Sequence, residues 1–161
     1  MKQGVQNMKR IWLAAVFAAG VAAVCQAEGD GWMSDMEAAK KTAAEKNRPI
    51  LVDFSGSDWC GWCMKLDKEV FSTEQFKKFA ADNLVLVLAD FPRRKEQSAE
   101  QRKANDALAE KYNIEGFPTV LLLDASGREL ARTGYRPGGA EAYVKHLKEL
   151  VEKAGYKIEK K

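Results

Sequence analysis

A three-layer α/β domain, with a central mixed β-sheet flanked by helices, is expected from three observations on the 161-residue chain. Segments of helix-forming residues alternate with shorter apolar runs of strand length. One of those runs, residues 84–89 (LVLVLA), is apolar without alternation, as a strand covered on both faces must be. Two cysteines, Cys60 and Cys63, stand where a strand signal gives way to a helix signal. A hydrophobic fraction of 46% suffices for one core and leaves no case for a second domain.

The chain opens on Lys2, Lys9 and Arg10, then an uncharged run over residues 11–24 (IWLAAVFAAGVAAV), then small and polar residues before the first acid, Glu28. That order is the layout of a secretory signal peptide over residues 1–27, with Ala27 the last residue removed and the domain spanning 28–161. The expected location is periplasmic or extracellular. The apolar run is shorter than the ~20 residues of a membrane-spanning helix. Two alternatives stay open: an uncleaved N-terminal anchor, and acylation at Cys25, where Val24 departs from the small residue a lipobox carries before its cysteine. Without the three leader bases, Lys and Arg balance the 23 Asp and Glu. No charge excess then points to nucleic acid or an anionic membrane as a partner.

Residues 32–47 (WMSDMEAAKKTAAEKN) are good helix formers, with Trp32, Met36, Ala39 and Ala43 on one face. Asn47, Arg48 and Pro49 stop that helix, and residues 50–54 (ILVDF) form the next strand. Helix is expected from Cys60 to about Ala81, with a break at residues 71–74, where Ser72 or Thr73 can cap a new segment. After the strand at 84–89 comes a polar stretch opened by Phe91, Pro92, Arg93, Arg94 and Lys95, then a helix over about 99–112. Residues 119–123 and 129–133 read as a hairpin around Asp124, Ala125, Ser126 and Gly127, with the glycine suited to positive φ. A final amphipathic helix covers about 140–153.

The motif Cys60-Gly61-Trp62-Cys63 carries the chemistry. At a helix start, unpaired backbone N–H groups and the positive end of the dipole favour a thiolate at Cys60, while Cys63, one turn in, is less exposed. Cys60 is therefore the expected attacking thiolate and Cys63 the resolving thiol. A zinc site would need about four ligands, and beyond this pair the chain offers Cys25 and the distant His146. A purely structural bridge would close too short a loop to restrain much of the chain. No cofactor and no metal are expected.

Leu51-Val52-Asp53-Phe54, Trp59-Cys60-Gly61-Trp62-Cys63 and Gly116-Phe117-Pro118-Thr119 together resemble the thioredoxin superfamily, over nearly everything from Trp32 onward. Gly56-Ser57-Asp58-Trp59-Cys60 and residues 65–71 (KLDKEVF) are similar to bacterial exported thioredoxin-like proteins akin to the C-terminal domain of the transmembrane thiol–disulfide interchange reductase. The resemblance implies a thioredoxin-like fold and a cis bond between Phe117 and Pro118, whose backbone lies against the cysteine pair and receives an extended client. Proline makes cis accessible at modest cost and removes an N–H. Phe117, Pro118 and Thr119, with Trp62, are then the expected substrate contacts.

The resemblance also makes Asp53 a buried proton acceptor for Cys63. This chain carries one residue more between Asp53 and Cys60 than thioredoxins do, so two placements stay open: a buried carboxylate beside Cys63, or an acid at a strand end facing water. Trp62 stands where thioredoxin has proline, and the Gly-Trp pair leaves the direction of electron flow open.

The leading expectation is an exported, monomeric disulfide reductase or interchange protein, acting on disulfide-containing or dithiol client proteins and served by a membrane electron donor. A disulfide oxidase or isomerase is the alternative among enzymes, and a non-catalytic adaptor or metallochaperone the alternative outside them. Trp62 is expected at an apolar rim and Trp59 in packing beside the motif. Lys65, the charge run at residues 91–99 and His146 are expected to be solvated, and Tyr135, after Gly134, is a candidate for a place near the active face.

Overall fold

The computed structural model describes residues 27–28 and 31–159; of the expected leader, only Ala27 falls within the described residues, and Cys25 lies outside them. Two short strands, β1 (Ala27–Glu28) and β2 (Trp32–Met33), precede α1 (Met36–Lys46) and β3 (Ile50–Ser55). Helix α2 (Gly61–Leu66) runs directly into a π-helical turn, Asp67–Phe71, and α3 (Glu74–Asn83) leads to β4 (Val85–Asp90). Helix α4 (Ala99–Lys111), the hairpin β5 (Thr119–Leu123) and β6 (Glu129–Thr133), and α5 (Gly139–Lys153) complete the chain.

The six strands form one sheet in the order β1-β2-β4-β3-β5-β6. Strands β2, β4 and β3 run parallel, while β1, β5 and β6 each pair antiparallel with their neighbours. This is the expected mixed sheet with helices on both faces, the thioredoxin-like α/β fold.

One expected boundary is corrected. The helix placed over residues 32–47 begins at Met36, because the Asp35 carboxylate accepts the N–H groups of Glu37 and Ala38 at 2.8 and 3.2 Å and caps it there. Trp32 and Met33 extend instead and pair with Leu86 and Val87, adding a strand, and Trp32 packs on Phe71 and Phe76. The three-to-four spacing that joined Trp32 to Met36 reflected two elements sharing one core. Asn47, at φ 50°, ends α1 as expected.

The helix break expected at 71–74 is present. The Ser72 N–H reaches back five residues to the Asp67 carbonyl at 2.8 Å, and the Thr73 hydroxyl accepts the Phe76 N–H at 3.3 Å to start α3. In the hairpin turn Gly127 takes φ 83°, with the Asp124 carboxylate accepting the N–H groups of Ser126 and Arg128.

Period-two alternation along β3 divides the core. Ile50, Val52 and Phe54 point to the side of α1, where they meet Ala39, Ala43 and Tyr112. Leu51 points to the side of α2, α3 and α5, with Leu66, Phe76, Tyr143 and Leu147. Each such side chain, when fully buried, contributes about 1.5–3 kcal/mol of transfer free energy. Asp53 and Ser55 share the parity of Leu51, so both face α2. That parity positions the site.

Candidate active site

Cys60 is the N-cap residue of α2, in extended backbone at φ −86° and ψ 104°, and its sulfur accepts the N–H of Cys63 at 3.2 Å. The two sulfurs are joined in a disulfide with Cα atoms 5.2 Å apart. Cys60 is 7% exposed and Cys63 3%, the order expected for an outer and an inner sulfur. A thiolate at Cys60 would keep the Cys63 N–H as a donor and face the positive end of the helix dipole.

The approach to this helix start is a tight turn in which the Gly56 carbonyl accepts the N–H groups of both Trp59 and Cys60, at 3.2 and 2.9 Å. The indole of Trp59 folds back over Gly56, where an added Cβ would lie 2.5 Å from the ring. Only glycine leaves that space. Asp53 lies on β3 before this turn, in register with Leu88 of β4 and Val120 of β5.

Asp53 is buried and lines, with Cys63, Met64, Ser55, Asp67 and Lys95, a cavity of about 390 Å³ beside the inner cysteine. Among the described residues its Oδ1 has no hydrogen-bond partner. Burial, reinforced by the Asp67 and Asp90 carboxylates, pushes its carboxyl from 3.8 up to about 8. Of the two placements left open by the sequence, the structure therefore has the buried one. A neutral carboxylic acid beside the inner cysteine can hold or release a proton there.

Phe117–Pro118 is a cis peptide bond, as the resemblance implied. Thr119 follows in register with Phe54 at the start of β5, and its hydroxyl donates to the Gly116 carbonyl at 2.7 Å. The Phe117 ring meets Trp59 edge-on at 5.8 Å between centroids. Trp59 is thus half-buried in packing beside the motif, as expected.

Trp62 is 58% exposed, in line with a rim position. Its ring lies 5.0 Å from that of Tyr135, and the Lys65 ammonium sits over both rings at 5.1 and 5.2 Å. The Tyr135 hydroxyl donates to Glu69 at 2.8 Å. Tyr135 and then Glu69 hold the Lys65 pKa above the ordinary lysine value. Lys65 is exposed, as expected, with its ammonium over the two rings and 3.9 Å from the Glu69 carboxylate. His146 is half-buried, 3.1 Å from the Thr133 hydroxyl and edge-on to Tyr143, and burial lowers its pKa. Its expected place on the helix surface is corrected, and it stays apart from the cysteines.

Three residues beside the site carried no expected role. Asp67 stands four after Cys63, one helical turn on, a spacing that places both on one face and was available in the sequence. Asp58 and Lys95 are brought to the motif by a contact spanning 37 residues, for which no local signal exists.

A family model described as a thioredoxin-like domain matches residues 36–150, and the chain belongs to that family. It is a thiol–disulfide oxidoreductase of the thioredoxin fold, with Cys60 and Cys63 as its redox pair. The disulfide bond reductase DsbH of Chlamydia pneumoniae is 40% identical over 121 residues, covering 75% of this chain and 72% of that protein. The thiol:disulfide interchange protein DsbD of Yersinia enterocolitica is 35% identical over 111 residues, 67% of this chain and 17% of that protein, so the likeness is to one part of it. A solved DsbH oxidoreductase superposes with a TM-score of 0.71 at 35% identity, over 92% of this chain and 95% of that one.

Proposed function

We propose that the chain is an exported reductase, which passes two electrons from a dithiol donor to disulfides of secreted client proteins. The observation that carries this reading is the buried acid beside the inner cysteine of a helix-capping pair, on a chain 40% identical to a disulfide bond reductase.

In the reduced state the Cys60 thiolate attacks one sulfur of the client disulfide, forming a mixed disulfide and expelling a client thiolate that takes a proton from solvent. Asp53, ionised in a minority of molecules at neutral pH because its carboxyl is pushed up to about 8, then accepts the Cys63 proton, and the Cys63 thiolate attacks the Cys60 sulfur. The second client sulfur departs as a thiolate that takes a proton from solvent, and Cys60–Cys63 closes as the disulfide seen here. With its pKa at about 8, Asp53 keeps that proton at neutral pH. When the donor thiolate opens the disulfide at Cys60, Asp53 returns the proton to Cys63, and the donor's second thiol then closes the donor's own disulfide and releases the Cys60 thiolate. The backbone of residues 117–119 receives the client strand, and Trp62 offers an exposed aromatic ring for client contact.

The leader pattern at residues 1–27 supports export, with the domain at 28–161 acting as a monomer in the periplasm or outside the cell and a membrane protein as electron donor. Intact mass of the exported chain separates cleavage after Ala27 from a lipid adduct at Cys25. The functional test is dithiothreitol-coupled reduction of insulin, in which the chain is expected to shorten the lag before precipitation at catalytic amounts. A lag unchanged from dithiothreitol alone would reject the reductase.

A further inference from the structure

The charge run after β4 keeps its charged side chains exposed, as its composition suggests, while its backbone is held. The Asp58 carboxylate accepts three consecutive backbone N–H groups from it, those of Arg93, Arg94 and Lys95, at 3.0, 2.7 and 2.8 Å. Beside it the Ser57 N–H and hydroxyl both donate to Asp90, at 2.9 and 2.6 Å. The Trp59 indole N–H donates to the Phe91 carbonyl at 2.7 Å, and the Arg93 guanidinium lies 3.7 Å above the Trp59 ring. Residues 57–59, which lead into Cys60, are thus clasped along their length by residues 90–95.

The clasp extends to the loop carrying the cis proline. Phe117 is met by Phe91 at 5.1 Å and by Trp59 at 5.8 Å, centroid to centroid, with interplanar angles of 42° and 89°. Both partners of Phe117 are placed by the clasp, so the segment that presents Cys60 and the segment at 117–119 are referred to one another through it. A carboxylate receiving three N–H donors is a strong, charge-assisted holder. The first of those donors, Arg93, with Lys95 and Arg94, lowers the Asp58 carboxyl from 3.8 to about 2, so the clasp is ionised at neutral pH.

We propose that Asp58 is a positioning residue for client exchange: its grip on residues 93–95 fixes Phe117 against Trp59, and so sets where a client strand on residues 117–119 presents its disulfide to Cys60. This rests on the reading of residues 117–119 as the client contact. A turn that merely capped itself would need neither Trp59 nor Phe117. A clasp that served folding alone would disturb every exchange reaction equally. Positioning predicts a split, because a small disulfide reaches Cys60 without a strand to dock.

The test compares Asp58→Ala and Asp58→Asn with the wild type, on insulin as docked client and on 5,5′-dithiobis(2-nitrobenzoic acid) as small disulfide. Removing the carboxylate is expected to lower kcat/KM for insulin about tenfold, as misplacement of reacting groups does, with the small-disulfide rate unchanged. Asn, which keeps one acceptor oxygen, gives an intermediate value and carries the comparison if the Ala variant does not fold. An unchanged kcat/KM for insulin, or an equal fall in both reactions, would overturn the proposal. Wild-type inactivity toward both substrates would overturn the reductase reading itself, and is recognised before any variant is compared.

Discussion

Cys60→Ser is expected to abolish disulfide exchange, and Cys63→Ser to leave the chain covalently captured on its client. The asymmetry follows from position. Cys60 caps α2 with its sulfur toward the helix N–H groups, where a thiolate is favoured, whereas Cys63 lies one turn inside at 3% exposure. Serine at 60 removes the sulfur that forms the first bond to the client. Serine at 63 leaves that step intact and removes the second attack, so the mixed disulfide at Cys60 has no internal route to resolution. Non-reducing electrophoresis of the two variants against a disulfide-containing client reads the result as a shifted band with Cys63→Ser and none with Cys60→Ser. Capture by the Cys60→Ser variant would reverse the assigned roles.

Asp53→Asn is expected to slow resolution of the mixed disulfide by about 10²-fold or more, the usual worth of a positioned proton acceptor. Stopped-flow fluorescence of single turnovers isolates that step. The same substitution has a thermodynamic signature with a definite sign. The carboxyl holds its proton in the folded chain up to about pH 8, while an unfolded Asp loses it near 3.8. Between those values the folded state binds more protons, so stability falls as pH rises from about 4 to about 8 and levels off above. Asn carries no such linkage. The variant is therefore expected to match the wild type near pH 4 and to exceed it at pH 8 on the order of a few kcal/mol, read from urea midpoints. A variant as fast as wild type would remove Asp53 from the mechanism.

Much of this site was legible in the sequence because its parts are local. A CxxC pair between a strand and a helix defines its own geometry, and the apolar runs at residues 50–54 and 84–89 marked the two central strands directly. Spacing to Cys60 leaves Asp53 between two placements. The better guide is parity along β3: with Ile50, Val52 and Phe54 on one face, Asp53 must share the other with Leu51, whatever the turn length. Trp32 misled for the converse reason, since helical spacing to Met36 arises equally when a strand residue and a helix residue meet the same core. The clasp by Asp58 had no sequence signal, because its partners lie 35 to 37 residues away and are backbone N–H groups, which any residue supplies. Tyr135, whose place after Gly134 points to the active face, meets Trp62 through the return of β6 beside β5.

Direction of electron flow is the central question for this pair, and equilibration of Cys60–Cys63 against glutathione buffers, followed by tryptophan fluorescence or thiol trapping, answers it most directly. A reductase requires a couple below about −200 mV, toward the thioredoxin end of the known range. A potential near about −120 mV, that of a strong periplasmic oxidant, would contradict the reductase and place the chain among proteins that introduce disulfides.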